Sequence, residues 1–270
     1  MNNKCTKQLF LLLICFLFST FNDITAEEPH KLVIATWNIG HFSNGHKSYS
    51  LIPHEQLDSM RRQYRQLIYD SINASIICIN EYSAEFCQTR SKKVCKTKRI
   101  LFNDYKYKEI GSQYNYGCNA IFSNVKLRNI KERQFECNTN NYHTKTGIGA
   151  DYYYLCGDLL QNKTKVTIIC AHLVPKNSKL RKAQMNELIS IYQKCDKVIM
   201  CGDWNTWDFL PFKKAGFQMA NDGTFVTFPS KLYALDNIIV KGFSIDCAKV
   251  IKTGLSDHYP LICTITDINE

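Results

Sequence analysis

Apolar residues in this chain fall into short, nearly continuous runs, and each run stops at a polar group. Leu32 to Trp37 leads to Asn38, and Ser75 to Ile79 leads to Asn80 and Glu81. Val166 to Ala171 leads to His172, and Lys197 to Cys201 leads to Gly202-Asp203-Trp204-Asn205. Such β-branched runs fit a pleated surface covered on both faces, so each predicts a buried strand. A further apolar segment, Leu261 to Ile265, follows a polar one, Ser256-Asp257-His258-Tyr259-Pro260. Two stretches instead follow the helical period. Pro53 to Ile72 places Leu57, Met60, Tyr64, Leu67 and Ile68 on one face, with Arg61, Arg62 and Arg65 turned away. Ser178 to Lys194 lines Leu180, Leu188, Ile191 and Tyr192 along one face, with Ser178 as the expected N-cap.

Between these lie segments of hairpin character, Asn119 to Ser123 and Asp151 to Leu160, with Tyr152-Tyr153-Tyr154 suited to a strand with one covered face. Many strands interrupted by few helices predict two packed sheets with helices outside. Each helical stretch runs directly into a strand ending in a carboxylate, Glu81 or Asp203.

The N-terminus changes this picture. Lys4 and Lys7 precede an apolar run from Leu9 to Phe18, too short to span a bilayer, and Ile24-Thr25-Ala26 suits a cleavage site. Residues 1–26 therefore read as a secretory signal peptide and 27–270 as one domain, secreted or periplasmic and monomeric. A membrane anchor or a lipid on Cys15 is the weaker reading, and no run in the mature chain is long enough to cross a membrane. Removing Cys5 and Cys15 from 13 cysteines leaves eleven. Cys78, Cys170 and Cys201 fall inside predicted strands and pack as small apolar groups. Export would permit Cys87–Cys95, bracketing a basic loop, and Cys137–Cys156, across a hairpin. The cysteines lack the paired short spacings of structural zinc. The net charge of +10 concentrates between Lys92 and Lys108 and between Lys163 and Lys182. Such stretches attract polyanions or anionic lipid, or simply keep a surface soluble. Asn73-Ala74-Ser75 and Asn162-Lys163-Thr164 match the glycosylation acceptor pattern.

The polar groups at the strand ends suit phosphoester chemistry. Such esters resist hydrolysis because their anionic oxygens repel a nucleophile. Glu81, Asp257 and the amide oxygen of Asn38 are hard donors that suit Mg²⁺ or Mn²⁺. Asp203 and Asn205, one residue apart, point to the same side of an extended backbone and could orient a water. His258 could donate to a phosphoryl oxygen with Asp236 holding its other nitrogen. His172 offers a second donor or a proton for the leaving group. Either Asp203, or His258 with Asp236, can serve as the base. Tyr116 and Asn119 lie close enough in sequence to a strand end to touch substrate.

In this order, Trp37-Asn38-Ile39, Asn80-Glu81, Asn119 to Ser123, Ala171-His172-Leu173, Gly202 to Asn205, Leu235-Asp236-Asn237-Ile238 and Ser256 to Leu261 span nearly all of the chain after the leader. The set resembles the endonuclease/exonuclease/phosphatase superfamily, which includes pancreatic-type deoxyribonuclease. The resemblance implies a four-layer α/β sandwich, two packed mixed β-sheets flanked by helices, with the site at one end of the sheets. It assigns water preparation to Asp203 and Asn205. The chain departs from the family in having Asn80 where Gln usually precedes the metal-binding Glu. The expected function is a secreted, Mg-dependent phosphodiesterase acting on nucleic acid. The alternatives are a phospholipid head-group phosphodiesterase or phosphomonoesterase on the same scaffold, and a catalytically dead binding protein. A lipid-active member would expose apolar loop residues, for which Trp207, Phe209, Leu210 and Phe212 are candidates.

Overall fold

The computed structural model describes residues 31–42, 54–83, 101–112, 118–137, 153–161 and 164–268. The leader, Pro53, Cys87, Cys95, Tyr116, Tyr152 and Asn162 lie outside the described residues. Lys31–Glu270 forms one compact unit.

Among the described residues, twelve strands build two six-stranded sheets. The first contains β1 (Lys31–Asn38), β2 (Ile76–Tyr82), β3 (Tyr107–Ile110), β4 (Cys118–Ser123), β11 (Phe243–Val250) and β12 (Leu261–Asp267), in the order β11-β12-β1-β2-β4-β3. The second contains β5 (Lys126–Gln134), β6 (Tyr153–Gln161), β7 (Thr164–His172), β8 (Val198–Asp203), β9 (Gln218–Met219) and β10 (Asp236–Lys241), in the order β5-β6-β7-β8-β10-β9. Both are mixed, with one central parallel pair flanked by antiparallel neighbours. β1 runs parallel to β2, and β7 runs parallel to β8.

A parallel pair needs a crossover, and the two periodic stretches supply it. α1 (His54–Gln66) joins β1 to β2 and continues as a π-helix through Ile72. α2 (Ser178–Tyr192) joins β7 to β8. Strand alternation then sorts the side chains. Ile34, Ile76, Cys78, Ile168, Cys170, Ile199 and Cys201 fill the space between the sheets. Ala35, Trp37, Ile77 and Ile79 face outward against Leu57, Met60, Tyr64 and Ile68 of the α1 stretch. Ile169, Ala171 and Met200 face Met185 and Leu188 of α2, together with Phe212 of the short α3 (Leu210–Lys214). The layers are helix, sheet, sheet, helix, the architecture the family resemblance implied.

Several local expectations need correction. Asn177, not Ser178, caps α2. Its backbone is extended and its Oδ1 accepts from Leu180 N at 3.0 Å, which satisfies a helix-start donor. The helix stops at Tyr192, before Lys194. Ile191 is exposed, while the uncounted Gln184 and Met185 are buried. Gln184 is tolerated inside because its Oε1 accepts from Val174 N. Phe209 and Phe212 are not exposed loop residues, since both pack around Trp204, whereas Trp207 and Leu210 are exposed. Cys137 and Cys156 do not face each other. Cys156 pairs with Lys131 in the sheet, Cys137 N donates to Glu187 Oε2, and both thiols are free. Cys78, Cys170 and Cys201 are buried, free and apolar in role. No helix among the described residues is long and apolar enough to cross a membrane.

Candidate active site

Both parallel pairs deliver polar residues at their C-terminal ends. Asn38 lies in register with Asn80, and His172 with Asp203, while β10 starts with Asp236 opposite Asp203. The packing of the sheets brings these ends together. Asn38 Nδ2 donates to Glu81 Oε1 and to Asp203 Oδ2, each at 3.1 Å, and so joins a carboxylate of one sheet to a carboxylate of the other.

Two departures from regular backbone aim the carboxylates. Glu81 sits where the β2–β4 register shifts, and its φ of 52° turns it out of the strand alternation. Bulges of this kind re-aim side chains at functional sites. Gly202 has φ 153°, and a Cβ there would lie 1.7 Å from Ala171 O. Only glycine lets β8 pass β7 so closely just before Asp203.

Asp203 is nearly fully buried and surrounded. Its Oδ1 accepts from Asn205 N at 2.9 Å, and its Oδ2 lies 3.6 Å from His172 Nε2 and 3.7 Å from His258 Nε2. The contact to Asn205 corrects the extended-strand expectation. Asn205 has φ 51°, so the chain turns there, and its amide nitrogen donates to Leu173 O rather than running alongside Asp203.

Asn80 occupies the seam between the sheets with no exposed surface. Its Oδ1 accepts from Asp203 N at 2.8 Å. Its Nδ2 donates to Asn119 Oδ1 at 2.9 Å and to Ala171 O at 3.0 Å. The shorter amide is thus fully paired and fixes the backbone of Asp203. Asn119 is a buried link in this chain, passing on to Tyr153 O, not a surface group at the end of a strand.

The loop Gly254–Pro260 carries the remaining groups. Ser256 Oγ donates to Asn38 O at 2.8 Å, Trp37 Nε1 donates to His258 O at 3.0 Å, and the Tyr64 hydroxyl donates to Leu255 O. His258 Nδ1 meets Asp236 Oδ2 at 2.7 Å, which leaves Nε2 facing Asp203. Burial pushes the His258 imidazole down, but the Asp236 and Asp203 carboxylates outweigh it and raise the group to about 10. Burial raises the Asp236 carboxyl against the opposing charge of His258. Asp257 is exposed beside His258, with its Oδ1 3.3 Å from Ser256 Oγ.

His41 is a site residue that sequence reasoning missed. Its φ of 56° directs Nε2 to Glu81 Oε2 at 3.0 Å. Burial would raise the Glu81 carboxyl. The hydrogen bond and charge of His41, the charge of His172 and the Asn38 amide reverse this and bring it to about 2. Its only sequence signal is a histidine three positions after Asn38.

Two donor sets are available to a divalent ion. Asn38, Glu81 and Asp257 offer hard oxygens, and two carboxylates bracket one Asn38 nitrogen, a concentration of negative charge that suits a dication. The amide oxygen of Asn38 is turned to Gly40 N at 3.1 Å. Asp203, Asp236 and His258 also bring ligand atoms within 4.8 Å of one another. In that set, however, Asp236 Oδ2 and His258 Nδ1 already engage each other.

The profile of the Endonuclease/Exonuclease/phosphatase family matches residues 35–258. No curated protein matches the chain. Among solved structures, a functionally unknown conserved protein from Enterococcus faecalis V583 is 18% identical, with a TM-score of 0.64 over 88% of this chain and 100% of that one. The human Nocturnin catalytic domain, solved with bound sulfate, is 16% identical, with a TM-score of 0.62 over 88% of this chain and 95% of that one. A humanized D. rerio TDP2 is 16% identical, with a TM-score of 0.61 over 87% of this chain and 98% of that one. These likenesses share the two-sheet sandwich, and the profile match extends across the strands that carry Asn38, Glu81, His172, Asp203, Asp236 and His258: the chain belongs to the endonuclease/exonuclease/phosphatase family.

Proposed function

We propose that this protein is an exported, divalent-metal-dependent phosphodiesterase. The observation that carries the reading is the convergence on Asp203 Oδ2 of Asn38, His172 and His258, at 3.1, 3.6 and 3.7 Å, from three separate strand ends or loops. A buried carboxylate facing two imidazoles suits general acid–base work on a single phosphate.

In this reading a water attacks phosphorus and gives its proton to Asp203, which Asn205 N and Asn38 hold in place. The new P–O bond forms as the bond to the leaving oxygen breaks. His258, fixed through Nδ1 by Asp236, donates from Nε2 to a non-bridging oxygen as charge builds there. His172 gives the leaving oxygen its proton. Glu81 and Asp257 would hold Mg²⁺ or Mn²⁺, with Asn38 as a third ligand once its amide oxygen turns from Gly40 N, and the ion when bound supplies Lewis-acid neutralisation of the phosphate charge. His41 keeps Glu81 ionised and aimed.

Export rests on the leader, residues 1–26, and a monomer is the simplest state. Nucleic acid and phospholipid both supply phosphodiesters, and the net charge of +10 suits either polyanion. The test is hydrolysis of bis(p-nitrophenyl) phosphate with Mg²⁺ or Mn²⁺. Turnover is expected with metal, and is expected to disappear in excess chelator and in Glu81→Gln. Full activity in chelator would refute the metal-dependent mechanism.

A further inference from the structure

Two loops at the edge of the site expose large apolar side chains. The first follows β8 and carries Trp207, 59% exposed, and it leads to Leu210, 52% exposed, the first residue of α3. The second is a tight turn closed by the Phe228–Tyr233 bridge, with Leu232 76% and Tyr233 38% exposed. The loops meet, since the Trp207 and Tyr233 rings pack at 4.8 Å between centroids. Of the six exposed large hydrophobics among the described residues, Trp207, Leu232 and Tyr233 thus form one rim, and Leu210 follows Trp207 by three residues.

The rim is built onto the catalytic machinery. Phe228 packs its ring 4.8 Å from that of His258, and Tyr259 N donates to Thr227 O at 2.7 Å. Thr227 Oγ1 in turn accepts from Asp236 N at 3.0 Å. Leu232 sits at the tip of its turn with φ 58°, a backbone that leucine rarely adopts. The first loop is also ordered, with Asp208 N bound to Thr206 Oγ1 and Leu210 N bound to Asp208 Oδ1.

Leu210 also borders a cavity of about 680 Å³ between α2 and α3. Lys179, Arg181, Lys182 and Lys214 line it against the single carboxylate of Asp208, and Thr206 ends it one residue from Asn205. Basic side chains beside Trp, Tyr and Leu form the pattern of a surface that seats in the head-group region of a bilayer.

We infer that this rim docks the protein on an anionic phospholipid bilayer and presents head-group phosphodiesters to Asp203 and His258; the inference rests on the phosphodiesterase reading above. Apolar contact with acyl chains accounts for Leu210 and Leu232, which a nucleic-acid backbone would leave in water. The Trp207 and Tyr233 rings cover one another at 43°, so they do not form an open slot for a base between them.

The test uses the purified protein, sedimentation with phosphatidylcholine vesicles with and without phosphatidylserine, and bis(p-nitrophenyl) phosphate as a soluble substrate. The protein is expected to partition onto phosphatidylserine vesicles with a blue shift in Trp emission. Trp207→Ser with Leu232→Ser should weaken partitioning by roughly ten-fold or more. Lys179→Glu, Lys182→Glu and Lys214→Glu should each weaken it by about five-fold, on the anionic vesicles only. All these variants should hydrolyse the soluble diester as the parent does. If the double variant misfolds, Leu232→Ser alone is expected to act in the same direction. Partitioning that is absent, or indifferent to these substitutions, overturns the inference. So does a single-stranded oligonucleotide that binds the parent, fails to bind the Trp207→Ser, Leu232→Ser variant, and is preferred to vesicles. A parent that docks on vesicles but never hydrolyses the soluble diester overturns the catalytic reading and leaves the docking surface standing.

Discussion

Replacing Asn80 by Ala probes how Asp203 is held. Asn80 contributes no proton to the proposed reaction, yet its amide satisfies three buried groups: Asp203 N at 2.8 Å, Asn119 Oδ1 at 2.9 Å and Ala171 O at 3.0 Å. Truncation leaves all three without this partner in a site that excludes water. Each unsatisfied buried group costs about 1–3 kcal/mol. Partial relaxation makes the sum smaller than three independent losses, so a total of about 3–6 kcal/mol is expected, against an ordinary stability of about 5–15 kcal/mol. For a domain of this size the melting temperature should fall by roughly 6–24 °C. Asn80→Gln supplies the contrast. It restores the amide usual in the family, but one methylene longer in a packed seam, at a cost of about 1–3 kcal/mol. Urea denaturation read by Trp fluorescence measures both. A loss below about 1 kcal/mol in Asn80→Ala would show that the amide does not bridge the sheets, and the account of how Asp203 is positioned would fail.

Asp203→Asn and His258→Ala are each expected to lower turnover by about 10²–10⁴-fold, the first with little change in melting temperature and the second with a clear fall, because it strips the buried Asp236 of its partner. The double variant should fall well short of the product, because groups acting on one phosphate are not additive. Asp236→Asn should act through His258, lowering kcat more than it raises KM in steady-state kinetics on a soluble diester. Gly202→Ala puts a Cβ 1.7 Å from Ala171 O, so β7 and β8 must separate. It should cost more than about 4 kcal/mol in chemical denaturation, and a mild loss would contradict the close approach of these strands. Asn177→Ala removes the α2 cap and should cost about 1 kcal/mol, a downward shift of roughly 2–4 °C in melting temperature by calorimetry.

The strands that form the site were legible because each is a β-branched run that ends abruptly at a polar group. Asn38, Glu81, His172 and Asp203 are placed by that rule alone, with no need to know the pairing. The features that escaped are those that depend on backbone rotation or on a partner distant in sequence. Gly40 signals a turn, but nothing signals that His41 continues it with positive φ and points its imidazole at Glu81, and one-residue spacing at Asp203 and Asn205 suggested a strand where the chain turns. Asn80 could be read as a departure, but its value depends on Ala171 and Asn119, which only the packed sheets bring near. In Trp207-Asp208-Phe209-Leu210-Pro211-Phe212, neither a period of two nor one of 3.6 is sustained. The alternation of exposed and buried positions there became visible only with Trp204 in place as their neighbour.

The division of the site between two sheets also governs when it comes into being. Asn38 and Glu81 belong to one sheet, and His172, Asp203 and Asp236 to the other, while His258 arrives on the loop that feeds β12. β12 is seated beside β1, so strands far apart in sequence are neighbours in the sheet. Until β12 pairs with β1, the loop that precedes it is not seated in the sheet and Asp236 lacks the imidazole it holds. The proposed catalytic set is therefore complete only when β12 is paired with β1, so hydrolysis, where it occurs, reports that this pairing has formed.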